Sequence, residues 1–116
     1  MVVWLKDNLG TASYAEKLDE NGVQVIEVRD LVEGKGNDRR ILKERMLQCI
    51  REIKAGRKVV IRCDKGIVRS NTLAIGVLTY LGLTLEEAIK LVSRKMGAQA
   101  INLELLNDIM EVTRTL

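Results

Sequence analysis

The sequence predicts an α/β fold, a small and mostly parallel central sheet flanked by helices. Three observations carry that reading. Short β-branched runs alternate with helical stretches through the first half of the 116-residue chain. Two Ser/Thr-x-x-Glu capping boxes and well-placed glycines frame the helices. The second half reads as three successive helices, one of them apolar on nearly all sides. A chain of 116 residues builds one hydrophobic core, so residues 1–116 are read as a single domain.

Taken in order, Met1–Leu5 reads as a first strand and Asp7-Asn8 as a turn. Ser13-Tyr14-Ala15-Glu16 has capping-box spacing and predicts a helix to about Glu20, stopped by Asn21-Gly22. Val23, Val25, Ile26 and Val28 form a second strand. Leu31–Asn37, with Gly34 and Gly36, reads as a mobile loop. Asn37 or Asp38 can cap a helix running to about Ala55, whose Leu42, Met46, Cys49, Ile50 and Ile53 recur at helical spacing. After Gly56, Lys58–Arg62 is strongly β-forming, and Cys63–Arg69 reads as a loop. Asn71–Leu81 predicts a buried helix, broken by Gly82. Thr84-Leu85-Glu86-Glu87 opens a further helix to about Met96, and Asn102 caps a last helix ending near Thr113.

Composition removes several kinds of chemistry. Hydrophobic residues are 47% and charged residues 30%, the profile of a globular chain. Aromatics are only 3%, with no Phe, so the core is aliphatic. The chain has no His, which excludes Ser-His-Asp and Cys-His catalysis, histidine zinc sites and histidine phosphotransfer. Two cysteines, Cys49 and Cys63, are too few for a four-cysteine zinc site or a disulfide framework. With no leader-like segment at the start, they suggest a reducing, cytoplasmic setting. The longest apolar stretch, Leu73–Leu83, is too short for a membrane span.

The net charge of +3 is unevenly spread. From Arg29 to Arg69 there are 13 Lys/Arg against 6 Asp/Glu, and the rest of the chain is net acidic. A basic middle suits an anionic partner: a phosphorylated group, a nucleic acid or an acidic protein face. Arg39, Arg40, Lys43 and Arg45 form a candidate docking patch, although a solvated helix face accounts for them more simply.

The chemistry concentrates in Val59–Thr72. A buried strand delivers Cys63 into a tight loop, and Arg69 follows six positions later at the mouth of a helix. A loop of this length can turn its backbone N–H groups inward as an anion nest. The helix N-terminus adds its positive dipole end and free donors. Arg69 adds a planar fork matched to two phosphate oxygens. A Cys in that field is expected to be a thiolate at neutral pH, as electropositive sites take a thiol from about 8.5 toward 3.5–7.5. A thiolate facing a phosphoryl group is a nucleophile. Gly66 sits where a side chain would intrude on the anion. Ser70 can donate to the sulfur. The candidate phosphate cradle is thus Asp64, Lys65, Gly66, Ile67, Val68 and Arg69, with the Asp64 side chain turned to solvent.

This C-x5-R-S pattern, after a strand and before a helix, resembles the cysteine-dependent protein tyrosine phosphatases. Within them it is most similar to the small dual-specificity phosphatases, whose signature is HCxxGxxRS. Leu9-Gly10-Thr11-Ala12 looks like the family's early "LGS" turn, and Gly22-Val23-Gln24-Val25-Ile26 like its "GI-x-x-VI" strand. Leu73-Ala74-Ile75, Leu83–Ala88 and Asn102 are similar to later family segments. The resemblance implies a compact three-layer sandwich and a two-step reaction without metal or cofactor. Cys63 forms a phosphocysteine, and a carboxylic acid protonates the leaving oxygen and then activates water. The expected substrate is a phosphorylated protein, and phosphate, sulfate or vanadate would occupy the same site.

The acid is expected on a loop upstream. Asp30, 33 positions before Cys63 and just after a strand, fits the family arrangement better than Asp38, which also reads as a helix cap. Two departures stand out. Arg62 occupies the position of the family's His, and the strand before the acid loop is trimmed or merged into Gln24–Asp30. Two alternatives stay open: an RNA 5′-phosphatase of the same fold, and a phosphate-binding module that no longer turns over. Trp4, Tyr14 and Tyr80 read as core or core-edge residues rather than a base-stacking platform, which weighs against nucleic acid. Cys49, on the apolar stripe of its helix, reads as core. Lys65 reads equally well as a reader of substrate charge or a solvated lysine.

Overall fold

A computed structural model of the chain describes residues 2–13, 22–63 and 67–116. The strands are β1 (Val3–Lys6), β2 (Leu9–Ser13), β3 (Val23–Glu27) and β4 (Lys58–Cys63). The helices are α1 (Arg39–Lys54), α2 (Val68–Tyr80), α3 (Leu85–Met96) and α4 (Leu103–Thr113), with a 3₁₀ turn at Ala98–Ala100. The sheet order is β1-β2-β4-β3. β4 runs parallel to both β2 and β3, while β1 closes one edge antiparallel. Of the helix expected from Ser13 to about Glu20, Ser13 is the last residue of β2 and the rest lies outside the described residues.

Leu9–Ala12 corrects the sequence reading. It is not a turn but the body of β2, pairing Leu9 with Val59 and Ser13 with Cys63. Gly, Ala and Ser are weak strand formers, but this segment is buried between β1 and β4, and packing outweighs propensity there. Gly10 is needed at this place: a Cβ would press on the Trp4 ring and the Val3 carbonyl of β1.

Along β4, Val59, Ile61 and Cys63 alternate with Val60 and Arg62. The first set joins one aliphatic core with Leu42, Met46, Cys49 and Ile50 of α1, Leu73, Ile75 and Val77 of α2, Val92 of α3 and Ile109 of α4. α2 runs through the middle of this core, with every residue from Ser70 to Leu78 buried. Gly76 lets α2 and α4 approach, because a Cβ there would collide with Ile109 Cγ2. Among the described residues no helix is long and apolar enough to cross a membrane.

The caps mostly follow the sequence. Thr84 and Glu87 complete a reciprocal capping box on α3, and Asn102 Oδ1 accepts from Leu105 N–H at 2.9 Å on α4. Asp38 caps α1, accepting from Arg40 N–H at 2.8 Å. Asn37 does something else. Its side chain accepts from Val32 N–H and donates to the Val32 and Gly34 carbonyls, tying down the segment read from sequence as a mobile loop.

Candidate active site

Cys63 is the last residue of β4 and only 1% exposed. Its position follows from the strand: β4 is gripped on both sides, so its C-terminal residue is placed in register with Ser13 of β2. α2 begins at Val68, three residues before the sequence signals placed it, so Arg69 and Ser70 lie in its first turn and not in the loop. Asp64, Lys65 and Gly66 of the expected phosphate cradle lie outside the described residues.

The start of α2 was hidden because no ordinary N-cap precedes it. The capping position is Ile67, which has no side-chain acceptor and sits at φ 52°, ψ 2°. A β-branched residue in this left-handed region is strained by roughly 1–3 kcal/mol, and such strain persists only where surrounding bonds enforce it. The Ile67 carbonyl accepts from Asn71 N–H at 3.1 Å, Ser70 Oγ at 2.9 Å and Asn71 Nδ2 at 2.9 Å. The missing capping acceptor comes from upstream: Ser70 N–H, the third of the helix, donates to Cys63 Sγ at 3.4 Å. The sulfur thus occupies the place of a capping oxygen at the positive end of a buried helix. The thiol also donates to Ser70 Oγ at 3.3 Å.

Two buried polar residues brace this turn. Asn71 Oδ1 accepts from Thr11 Oγ1 of β2 at 2.9 Å, joining α2 to the sheet. Thr72 Oγ1 donates to the Val68 carbonyl at 2.7 Å and accepts from Asn102 N–H at 3.1 Å, joining it to the start of α4.

Arg69 reaches toward the loop after β3. Its Nη1 donates to the Arg29 carbonyl at 2.8 Å and the Leu31 carbonyl at 3.1 Å, the two that bracket Asp30. The structure therefore connects the first turn of α2 to the segment that holds the expected acid. The Asp30 carboxylate turns to α1, where Oδ2 meets Arg45 Nη2 at 2.6 Å. Arg45 Nη1 also lies 3.3 Å from Glu44 and from Gln48. The hydrogen bond it donates to Asp30 raises the Arg45 guanidinium above its ordinary value. For Asp38, the Arg40 backbone N–H holds the carboxyl below its usual range, which favours its ionised form.

Arg62, at the position where a His was expected from the resemblance, extends from the sheet face opposite to Cys63. It pairs with Glu27, its register partner on β3, with Nε at 2.7 Å from Oε1. Cys49 lies in the core of α1, and burial pushes its thiol up to about 12. In the basic patch, Arg39 pairs with Asp108 and Glu111 of α4 and Arg40 with Asp38, so much of that charge is met within the molecule. Sequence reading missed Asn71 and Thr11, and placed Arg45 in a docking patch rather than beside Asp30. Only Asn71 carried a signal, a polar residue inside an apolar helix four positions after Ile67.

A strand-end cysteine beneath the N-terminus of a buried helix, on a sheet of order β1-β2-β4-β3, defines a phosphatase-type α/β fold. Among solved structures the chain is similar to Tk-PTP, a protein tyrosine phosphatase, in its active form. The TM-score is 0.73 over 99% of this chain and 97% of that one, at 18% sequence identity, so the likeness is one of fold. No family model matches the chain, and no curated protein matches it.

Proposed function

We propose that the chain is a metal-independent phosphatase acting on phosphotyrosine or phosphoserine/threonine of proteins through a phosphocysteine intermediate. The observation that carries this is Cys63 Sγ held at the N-terminus of α2 by Ser70 N–H. That end of a helix favours an anion, first the thiolate and then the phosphoryl group it attacks.

In the proposed reaction Cys63 attacks phosphorus, the bond to the leaving oxygen breaks, and Asp30 supplies that oxygen with a proton. Water, deprotonated by the same carboxylate, then hydrolyses the phosphocysteine and returns the thiolate. Arg69 serves two tasks with one planar group, holding the Asp30 loop by its carbonyls and closing on the phosphate oxygens. Electrostatic stabilisation comes from N–H groups and guanidinium.

One observation favours a second reading, a phosphate-binding module without turnover. The Asp30 carboxylate is held by Arg45 of α1, a contact that would have to give way for it to serve a leaving group. A phosphate-release screen over phosphopeptides, RNA 5′ ends and inositol phosphates, run beside Cys63→Ser, separates the readings. Release from phosphopeptides that vanishes in Cys63→Ser supports the phosphatase. Preferential release from RNA ends moves the substrate to RNA. Phosphate binding without release supports the module.

A further inference from the structure

We infer that Asn71 is a positioning residue that frees the Ser70 hydroxyl to serve the Cys63 thiolate. This rests on the proposed function in one respect only, that Cys63 works as a thiolate.

A serine hydroxyl carries one proton, and a backbone carbonyl offers two lone pairs. With the sulfur protonated, the thiol donates to Ser70 Oγ and the Ser70 hydroxyl donates to the Ile67 carbonyl. When the thiol loses its proton to solvent, the hydroxyl can donate to the sulfur 3.3 Å away only by turning from Ile67. That turn takes a hydrogen bond from a carbonyl at the strained start of a buried helix, which without the Asn71 side chain would keep only the residue-71 backbone N–H for its two lone pairs. Asn71 removes the difficulty. Its backbone N–H at 3.1 Å and its Nδ2 at 2.9 Å both donate to the Ile67 oxygen, so two bonds stay when the hydroxyl leaves.

The amide orientation is fixed by its other end. Oδ1 accepts from Thr11 Oγ1, and the reversed amide would set an oxygen against the Ile67 carbonyl. Asn71 is fully buried, so its place is set by the sheet on one side and the strained carbonyl on the other.

The test is the rate at which iodoacetamide alkylates Cys63 near neutral pH, located by mass spectrometry, in a double-mutant cycle with Ser70→Ala. Asn71→Ala should slow alkylation about fivefold, the worth of one modest hydrogen bond, but less than about twofold when Ser70 is already Ala. Asn71→Ser should restore most of the rate, because a serine there can donate to the carbonyl four residues back. An equal loss in both backgrounds, or no loss in Asn71→Ala, overturns the inference. A wild-type Cys63 that resists alkylation overturns it too, together with the thiolate. Turnover of an aryl phosphate by the same variants keeps the two readings apart. Coupling without wild-type turnover contradicts the phosphatase and upholds Asn71, while turnover without coupling contradicts Asn71 alone.

Discussion

Ser70 N–H donates to Cys63 Sγ across 3.4 Å, so a sulfur seven residues upstream fills the capping position that Ile67 leaves empty. Strand, turn and helix are tied together by this contact. The sulfur takes the place of a capping acceptor, at a helix end of the kind that favours anions.

The two cysteines should separate sharply in reactivity. Cys49 is buried among aliphatic side chains and pushed up to about 12, so it carries almost no thiolate at neutral or mildly alkaline pH. Alkylation of the folded protein at about pH 8 should label Cys63 and spare Cys49, and labelling in denaturant should reach both. Peptide mapping after each treatment checks this; Cys49 labelled first in the folded protein would contradict it.

The acid can be located by leaving-group dependence. Asp30→Asn should slow aryl phosphates with poor leaving groups by about 10²- to 10⁴-fold, the usual worth of general acid catalysis, and good ones far less. Asp38→Asn should leave that dependence unchanged. A reversal between the two variants would move the acid to Asp38.

Asp38 should instead be visible in stability. Its folded value lies below the ordinary 3.8, held down by the Arg40 N–H. A depressed carboxylate contributes stability that is fully present above its unfolded value and is lost as pH falls through the folded one. Asn also caps helices but carries no charge. The stability difference between wild type and Asp38→Asn should therefore be present at neutral pH and fade below about pH 3.8, as read by urea denaturation across that range.

Gly76→Ala should destabilise the fold by about 1–3 kcal/mol, because its Cβ would meet Ile109 where α2 and α4 touch. Adding Ile109→Leu, which lacks the Cγ2 branch, should recover part of the loss. Urea midpoints for the two variants measure both effects.

Local signals told most of the fold. Thr84 and Glu87 bracket α3 as a capping box, and Leu42, Met46, Cys49 and Ile50 repeat along α1 and are buried. Two features escaped for one reason, that their cause lies elsewhere in the chain. β2 is a strand because β1 and β4 enclose it, not because Leu9–Ser13 favours extended backbone. α2 starts at Val68 because Cys63 caps it across a strained Ile67, a device no local spacing encodes. The same holds at the candidate site. Cys63, Arg69 and Ser70 were legible from their spacing, whereas Thr11 meets Asn71 across 60 residues and Arg45 meets Asp30 from another helix.

The most direct test of the central claim is mass spectrometry of the protein quenched in acid during turnover of an aryl phosphate. A phosphoryl group should appear on Cys63, present only while substrate lasts and absent from Cys63→Ser. Sustained phosphate release with Cys63 never modified, or undiminished release by Cys63→Ser, would contradict it.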